Sequence, residues 1–485
     1  MSTVLDQSKP HQKYFEAICN IPHPSTQEKA VSDYVCSVAE GLGLDYEQDK
    51  LWNVIVRKPA SKGYENAPAI MLQAHMDMVC VKEPESNHVF ETDPLKLYID
   101  ENNNVRARGT TLGADDGYGC AYLLALMEEN DYPHPPLELV FTSQEENGCW
   151  GAEALDVSRL KARRMIGLDV MGATYEWTST VSCYSSDLVT VRKNMERETV
   201  NETGLSVEIS GVQPVHSGSI VHPEQFNCVK IIARLLFVLR EKGARIRLSS
   251  MNGGVAENYP PVSLTAGMIV DGITAGEAEK ILLAETAVIE SELQDGLQSL
   301  CVKVSESEIT SAVSQKDTDD VINLLYLMPS NTFTLDVKDG SMTSTNNVGM
   351  IEFSEEKEFT LTMSNRNRNR EYKNNINRRI ELLCSFTGAT AEISSRYEPW
   401  DYDPDSYMRK LTAKLMKEFY GHEMTENICP GGLECCNFLP EMPGLDIVMF
   451  APIGEACHTT GEYLNLDSFD RVYDFVKLLL LNLGE

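Results

Sequence analysis

The sequence predicts an α/β domain, a mostly parallel mixed sheet flanked by helices, interrupted by an inserted α+β domain. Short apolar runs alternate with helical patterns near both ends of the chain. Between them, strands of polar–apolar alternation dominate. Several of the apolar runs in the flanking parts end on His, Asp or Glu, and an open α/β sheet binds its ligands beyond the carboxyl ends of its strands.

Taken in order, Ser25-Thr-Gln-Glu28 resembles a capping box and predicts a helix from there to about Gly41. Apolar runs follow at 53–57 and 69–74, and 117–129 reads as a helix. The runs at 137–143 and 165–168 read as buried strands. In the middle, 205–210, 244–250 and 358–364 alternate as strands, with helices at 223–241, 274–293 and near 371–384. Residues 405–420 read as helix, 445–451 as strand and 467–483 as helix. The expected division is a catalytic domain over 1–187 and 397–485, with the insertion at 188–396.

Composition narrows the function. A chain of 485 residues buries a large core without disulfides. Forty-two Lys and Arg against 73 Asp and Glu give a net charge of −31. That balance excludes broad phosphate-backbone binding and docking on anionic membranes, so neither nucleic acid nor membrane is an expected partner. The N-terminal MSTVLDQSKPHQ lacks a basic region followed by an apolar run, and no apolar stretch reaches the ~18 residues of a bilayer span. The 13 cysteines are scattered, with no Cys-x-x-Cys pair. Together these features make the reducing cytoplasm the expected compartment.

The polar residues at the run ends are metal ligands by type. They are His75 and Asp77 after 69–74, Glu145 and Glu146 after 137–143, Asp169 after 165–168, and His458 beyond 445–451. Asp115 sits in a glycine-flanked loop entering a helix. Two imidazoles with three or four carboxylates suit Zn, Mn or Co and need no thiolate. In an extended His75-Met-Asp77 both side chains share a face, so Asp77 can fix the His75 tautomer. If the strand continues, Glu145 and Glu146 point to opposite faces, one free to ligate and the other to act on a water.

The stretches Leu-Gln-Ala-His75-Met-Asp77-Met-Val, Arg-Gly-Thr-Thr-Leu-Gly-Ala-Asp115-Asp-Gly and Glu145-Glu146-x-Gly resemble the M20 metallopeptidases. Ile-Pro-His-Pro-Ser at 21–25, Val-His216-Ser-Gly, Met-Asn-Gly-Gly at 251–254, Gly-Gly-Leu-Glu434-Cys and His458 followed by Glu462 narrow the likeness to the aminoacyl-histidine dipeptidases of that family. The resemblance implies two divalent ions per chain, zinc first, with manganese or cobalt as alternatives. His75 and Asp169 would hold one ion, Glu146 and His458 the other, and Asp115 would bridge them. Asp77 would orient His75. Glu145 would be the general base that takes a proton from the attacking water and passes it to the leaving amine. The insertion would be a lid carrying His216 as an oxyanion donor and Arg366, assisted by Asn227, as the grip on the substrate's C-terminal carboxylate. The implied partner is a small unblocked dipeptide, of Xaa-His type and broader, and lids of this family often form homodimers.

Three departures from the family pattern bear on substrate preference. Val170-Met-Gly-Ala173 follows Asp169 where relatives carry acidic residues, Glu257 stands where an arginine is expected, and Pro430 stands where relatives often have His. No role follows for Glu434. Two rival functions remain: a related amidohydrolase, such as an N-acyl amino-acid deacylase or tripeptidase, and a non-catalytic peptide-binding paralogue. His11, His88, His134 and His422 lie in polar or Pro-rich settings and read as surface residues.

Overall fold

The computed structural model describes residues 3–212, 227–292, 300–335, 337, 342–397 and 399–484. The chain opens with α1 (Pro10–Cys19), α2 (Lys29–Leu42), β1 (Asp45–Gln48), β2 (Val54–Lys58), β3 (Ile70–His75), β4 (Leu97–Ile99), β5 (Asn104–Ala107), α3 (Ala114–Glu128), β6 (Leu137–Thr142), α4 (Trp150–Ala154), β7 (Arg164–Gly167) and β8 (Thr178–Cys183). The middle holds β9 (Ser185–Lys193), β10 (Arg197–Ser210), α5 (Cys228–Glu241), β11 (Arg245–Gly253), β12 (Leu264–Asp271), α6 (Ala275–Glu292), β13 (Cys301–Val313), α7 (Gln315–Leu327), β14 (Asn331–Leu335), β15 (Met342–Phe353), β16 (Phe359–Asn367), α8 (Arg370–Thr387) and β17 (Thr390–Tyr397). The last part holds α9 (Tyr407–Tyr420), β18 (Thr425–Cys429), β19 (Asp446–Met449), β20 (Gly454–Glu455), β21 (Tyr463–Asn465) and α10 (Leu466–Asn482).

These elements form two compact units, one of Met1–Cys183, Tyr402–Cys429 and Leu433–Glu485, the other of Tyr184–Asp401 with Pro430–Gly432. The first unit contains an eight-stranded mixed sheet in the order β1-β2-β6-β3-β7-β19-β8-β18. Its centre, β6-β3-β7-β19, is parallel throughout, and these four strands are the apolar runs read from the sequence. Register places His75 beside Thr142 and Gln73 beside Gly167, so the C-terminal ends of β3, β6 and β7 lie at one edge. The helix α3 is apolar on all sides because it is packed on all sides. Its Tyr122 stacks on Phe469 of α10 with ring centroids 5.0 Å apart. A small sheet, β20-β21-β5-β4, was not anticipated, because its strands of two to four residues are too short to show a period.

The second unit is α+β. Its nine-stranded sheet runs β13-β10-β12-β11-β15-β16-β9-β17, with β14 paired to β15. The apolar faces of α5 to α8 supply its core, with Leu235, Leu236, Leu282, Leu325, Ile376 and Ile380 all buried. Helix α7 was missed from the sequence. Its first half, Gln-Lys-Asp-Thr-Asp-Asp, reads as a polar loop, yet Ser314 caps it by accepting from the Asp317 N–H.

The expected capping box at 25–28 is not formed. Helix α2 starts after Glu28, which makes no side-chain cap. Glu28 instead accepts the N–H groups of Thr26 at 2.8 Å and Gln144 at 3.1 Å. Among the described residues no helix is long and apolar enough to cross a membrane.

Candidate active site

The site lies wholly in the first unit, at the C-terminal ends of β3, β6 and β7. Strand β3 ends on His75, which is buried. Its Nδ1 lies 3.1 Å from the Asp77 carbonyl oxygen and 3.4 Å from Asp77 Oδ1. Its Nε2 points the other way, 3.4 Å from Asp115 Oδ1 and 3.6 Å from Asp169 Oδ1. The Asp77 carboxylate does more than face the imidazole. Oδ1 accepts the Glu145 N–H at 3.0 Å, and Oδ2 accepts the Glu146 N–H at 3.2 Å and the Ser25 hydroxyl at 2.8 Å.

Glu145 and Glu146 do not alternate along a strand as expected. Strand β6 stops at Thr142, and Gln144 has φ +56°, which turns the chain before the pair. The two side chains are therefore placed by a turn, and Asp77 fixes that turn through both amides. Glu145 Oε1 accepts from the thiol of Cys149 at 3.4 Å.

Asp115 and Asp116 occupy the first turn of α3 with non-helical backbone angles. Asp116 faces inward, accepting the N–H of His75 at 3.2 Å and that of Gly119 at 3.1 Å. Asp115 faces the two imidazoles, with Oδ1 3.4 Å from His75 Nε2 and Oδ2 3.6 Å from His458 Nε2. His458 stands in the turn between β20 and β21 with φ +65°. Its Nε2 is 2.9 Å from Glu146 Oε1 and 3.6 Å from Asp115 Oδ2.

Three sets of ligand atoms lie within 4.8 Å of one another: His75 with Glu145 and Glu146, His75 with Asp115 and Asp169, and Asp115 with Glu146 and His458. His75 Nε2 and Asp115 Oδ1 are buried and neither makes a hydrogen bond. Polar atoms left so are costly unless a charged partner meets them. Burial pushes the carboxyls of Glu145, Glu146 and Asp169 up, and the neighbouring carboxylates add to it. The two imidazoles move the opposite way to ordinary buried histidines. Burial opposes it, but Asp115, Asp169 and Asp77 raise His75. Asp115 and Glu146 raise His458 to about 10. Converging carboxylates with neutralisable imidazoles at this spacing form a donor set that fits divalent cations, whose charge restores the ionised carboxylates.

The other expected residues fall differently. His216 lies outside the described residues. Arg366 is on β16, half-buried, donating to the Ser364 hydroxyl at 3.4 Å and to the Pro430 carbonyl at 3.3 Å. Asn227 stands immediately before α5 in the second unit. Its Oδ1 caps α5 by accepting from Val229 and Lys230, and its amide donates to the Val348 carbonyl at 2.7 Å and the Ser330 hydroxyl at 3.2 Å. The residue is fully buried. Of the histidines read as surface residues, only His422 is exposed. His11, His88 and His134 are buried. His11 packs on Phe469 and Tyr473 and bonds Asp470, and His134 bonds the Pro135 carbonyl.

Four residues near the site take partners that the sequence does not show. Ser25 donates to Asp77 instead of capping a helix, and Cys149 donates to Glu145. Glu434 is fully buried, and its Oε2 accepts from the Gln73 amide and, at 2.7 Å, from the Thr142 hydroxyl. Burial pushes its carboxyl up to about 8 against the pull of His75. Glu462 was noticed only by its distance from His458, although its carboxylate accepts the N–H groups of Leu112, Gly113 and Ala114.

Comparison with known proteins places the chain among peptidases. The chain is 29% identical over 473 residues to the cytosol non-specific dipeptidase of Escherichia coli (strain K12), covering 96% of each chain. It superposes on the crystal structure of aminoacylhistidine dipeptidase from Vibrio alginolyticus with a TM-score of 0.84 at 27% identity, covering 98% of this chain and 96% of that one. A tripeptidase from Staphylococcus aureus shares the fold at 15% identity, with a TM-score of 0.57 over 99% of this chain and 100% of that one. Residues 71–482 match the family described as peptidase family M20/M25/M40, a span that contains every ligand named above. The chain belongs to that peptidase family.

Proposed function

We propose that the protein is a dinuclear metal-dependent dipeptidase acting on unblocked dipeptides, aminoacyl-histidines among them. The observation that carries this reading is the pair of ligand sets that share Asp115: His75, Asp115 and Asp169 on one side, Asp115, Glu146 and His458 on the other. His75 and Asp169 would hold one ion, Glu146 and His458 the second, and Asp115 both. Zinc is the ion the proposal names, and manganese and cobalt suit the same donors. Bound divalent ions supply Lewis acidity, polarising the scissile carbonyl and acidifying a water.

The chain's own residues do the rest. Asp77 holds the His75 ring and the turn that carries the two glutamates. Glu145 serves as general base, taking the proton of the attacking water and delivering it to the leaving amine. Ionised Glu145 requires the cations, since burial alone pushes its carboxyl up. His216 would donate to the developing oxyanion, and Arg366 would pair with the free C-terminal carboxylate of the substrate. The relatives named for dipeptide substrates support the size of substrate over that of a tripeptide. The second unit is proposed as a lid that closes on substrate, and a homodimer through it is compatible with this scheme.

A panel of β-alanyl-histidine, Gly-His, Leu-Gly, a tripeptide and an N-acetyl amino acid tests the substrate class. Cleavage confined to free dipeptides supports the proposal. Cleavage of the acetylated substrate alone identifies a deacylase, and preference for the tripeptide identifies a tripeptidase.

A further inference from the structure

We infer that Glu462 is a positioning residue that clamps the turn carrying His458 to the loop carrying Asp115, and so holds one ligand set together. The inference rests on the two-ion reading above. Glu462 is 3% exposed. Its Oε2 accepts the N–H of Leu112 at 2.7 Å and of Gly113 at 3.1 Å, and its Oε1 accepts that of Ala114 at 2.8 Å and of Asp115 at 3.5 Å. One carboxylate thus takes four consecutive amides, ending at the residue shared by both ligand sets. The last two of those amides, Ala114 and Asp115, open α3, where N–H groups have no helical partner and favour a negative charge.

The other end of the clamp is the His458 turn. The N–H of Glu462 donates to the Thr459 carbonyl at 3.2 Å. The Thr459 hydroxyl donates to the Ala456 carbonyl at 2.7 Å and accepts the Gly461 N–H at 3.2 Å. Ala456 has φ +58° and His458 φ +65°, conformations that L side chains adopt at a cost. Such a turn persists only if its ends are held, and Glu462 is the end. Asp115 and His458, 343 residues apart in sequence, meet Glu146 because the same carboxylate fixes both segments. The other set shares Asp115 but takes His75 and Asp169 from the ends of β3 and β7, so loosening the clamp should weaken the two ions unequally, the Glu146 and His458 side more.

Glu462→Gln keeps the size of the side chain but turns one acceptor into an NH2 that opposes the loop amides. Metal-stripped wild type and variant are titrated with Zn2+ by calorimetry, with metal content read after gel filtration and folding checked by circular dichroism. The expected result is two tight ions in the wild type, and in Glu462→Gln one tight ion with the other weakened at least tenfold. Thr459→Val, which leaves Glu462 and its amides in place, should weaken the same ion by a smaller factor and serves if Glu462→Gln does not fold. Two ions of wild-type affinity in the variants, or equal weakening of both ions, overturns the clamp. Fewer than two ions in the wild type overturns the two-ion reading and the clamp with it, whereas intact two-ion binding with a different substrate class leaves the clamp standing.

Discussion

Asp77 accepts the backbone N–H of Glu145 at 3.0 Å with the same oxygen that lies 3.4 Å from His75 Nδ1. One buried carboxylate therefore sets both His75, proposed as a metal ligand, and Glu145, proposed as the general base. Asp77→Asn leaves a single acceptor oxygen for three donors and presents an NH2 to the rest. The expected loss is about 10–100-fold in kcat/KM with weakened metal binding, the usual range for groups that support a metal ligand. Ser25→Ala removes only one hydroxyl donor and should cost about fivefold at most. Steady-state kinetics on the two variants check the ranking; equal losses would contradict it.

The charge state of His458 predicts a proton count. Asp115 and Glu146 hold the imidazole protonated up to about 10 in the ion-free protein, against a smaller effect of burial. A ligating imidazole is neutral, so ion binding below that pH must expel a proton. Metal affinity should rise with pH, by up to about tenfold per unit for each proton released, and level off once the histidine is neutral. Calorimetry at neutral pH in buffers of different ionisation heat reads the number directly. At least one proton should leave per chain, and His458→Ala should release fewer.

Gly119 is a packing requirement of the site. A Cβ added there would lie 2.4 Å from Asp116 Oδ1 and 2.9 Å from the Cβ of Ala74. Asp116 would have to leave the His75 N–H, moving α3 against β3. Gly119→Ala should destabilise the fold by about 1–3 kcal/mol, as overpacking does, and lower activity. Thermal melts of the metal-free protein check the first part.

An acid-side prediction comes from the other end of the first unit. Burial opposes it, but His11, Lys9 and Gln12 hold the Asp470 carboxyl down to about 2. A lowered carboxyl favours the folded state above its unfolded value near 3.8, and that contribution disappears as pH falls through the folded value. Asp470→Asn should therefore cost about 1 kcal/mol near neutrality and flatten the stability profile between about pH 4 and 2. Urea unfolding at a series of pH values measures both.

The sequence revealed most of what periodicity and residue type can carry. Strands β2, β3, β6, β7 and β19 each carry a short apolar run, and the candidate ligands after β3, β6 and β7 stand at the strand ends where an α/β sheet puts its site. What stayed hidden depends on tertiary partners. Ser25 has the spacing of a cap, but the Asp77 carboxylate is the acceptor it meets. Asn227 is a polar side chain whose type alone does not show that its oxygen accepts the N–H groups of Val229 and Lys230 at the start of α5. His11 sits among Lys, Pro and Gln in sequence and among aromatic rings in the fold. Glu462 and Glu434 look like surface acids until the loop amides and the Gln73–Thr142 pair come to them through folding. A side chain's partner across hundreds of residues leaves no local period to read.

Two cations and Glu145 are proposed to perform the hydrolysis together. The most direct test strips the wild type with a chelator and titrates Zn2+ or Mn2+ back while following Gly-His cleavage, with Glu145→Ala alongside. The expected result is no cleavage by the stripped protein, recovery complete at two ions per chain, and a variant that binds both ions yet turns over at least about 100-fold more slowly. Undiminished cleavage by the stripped protein, or near-normal turnover by Glu145→Ala, would contradict it.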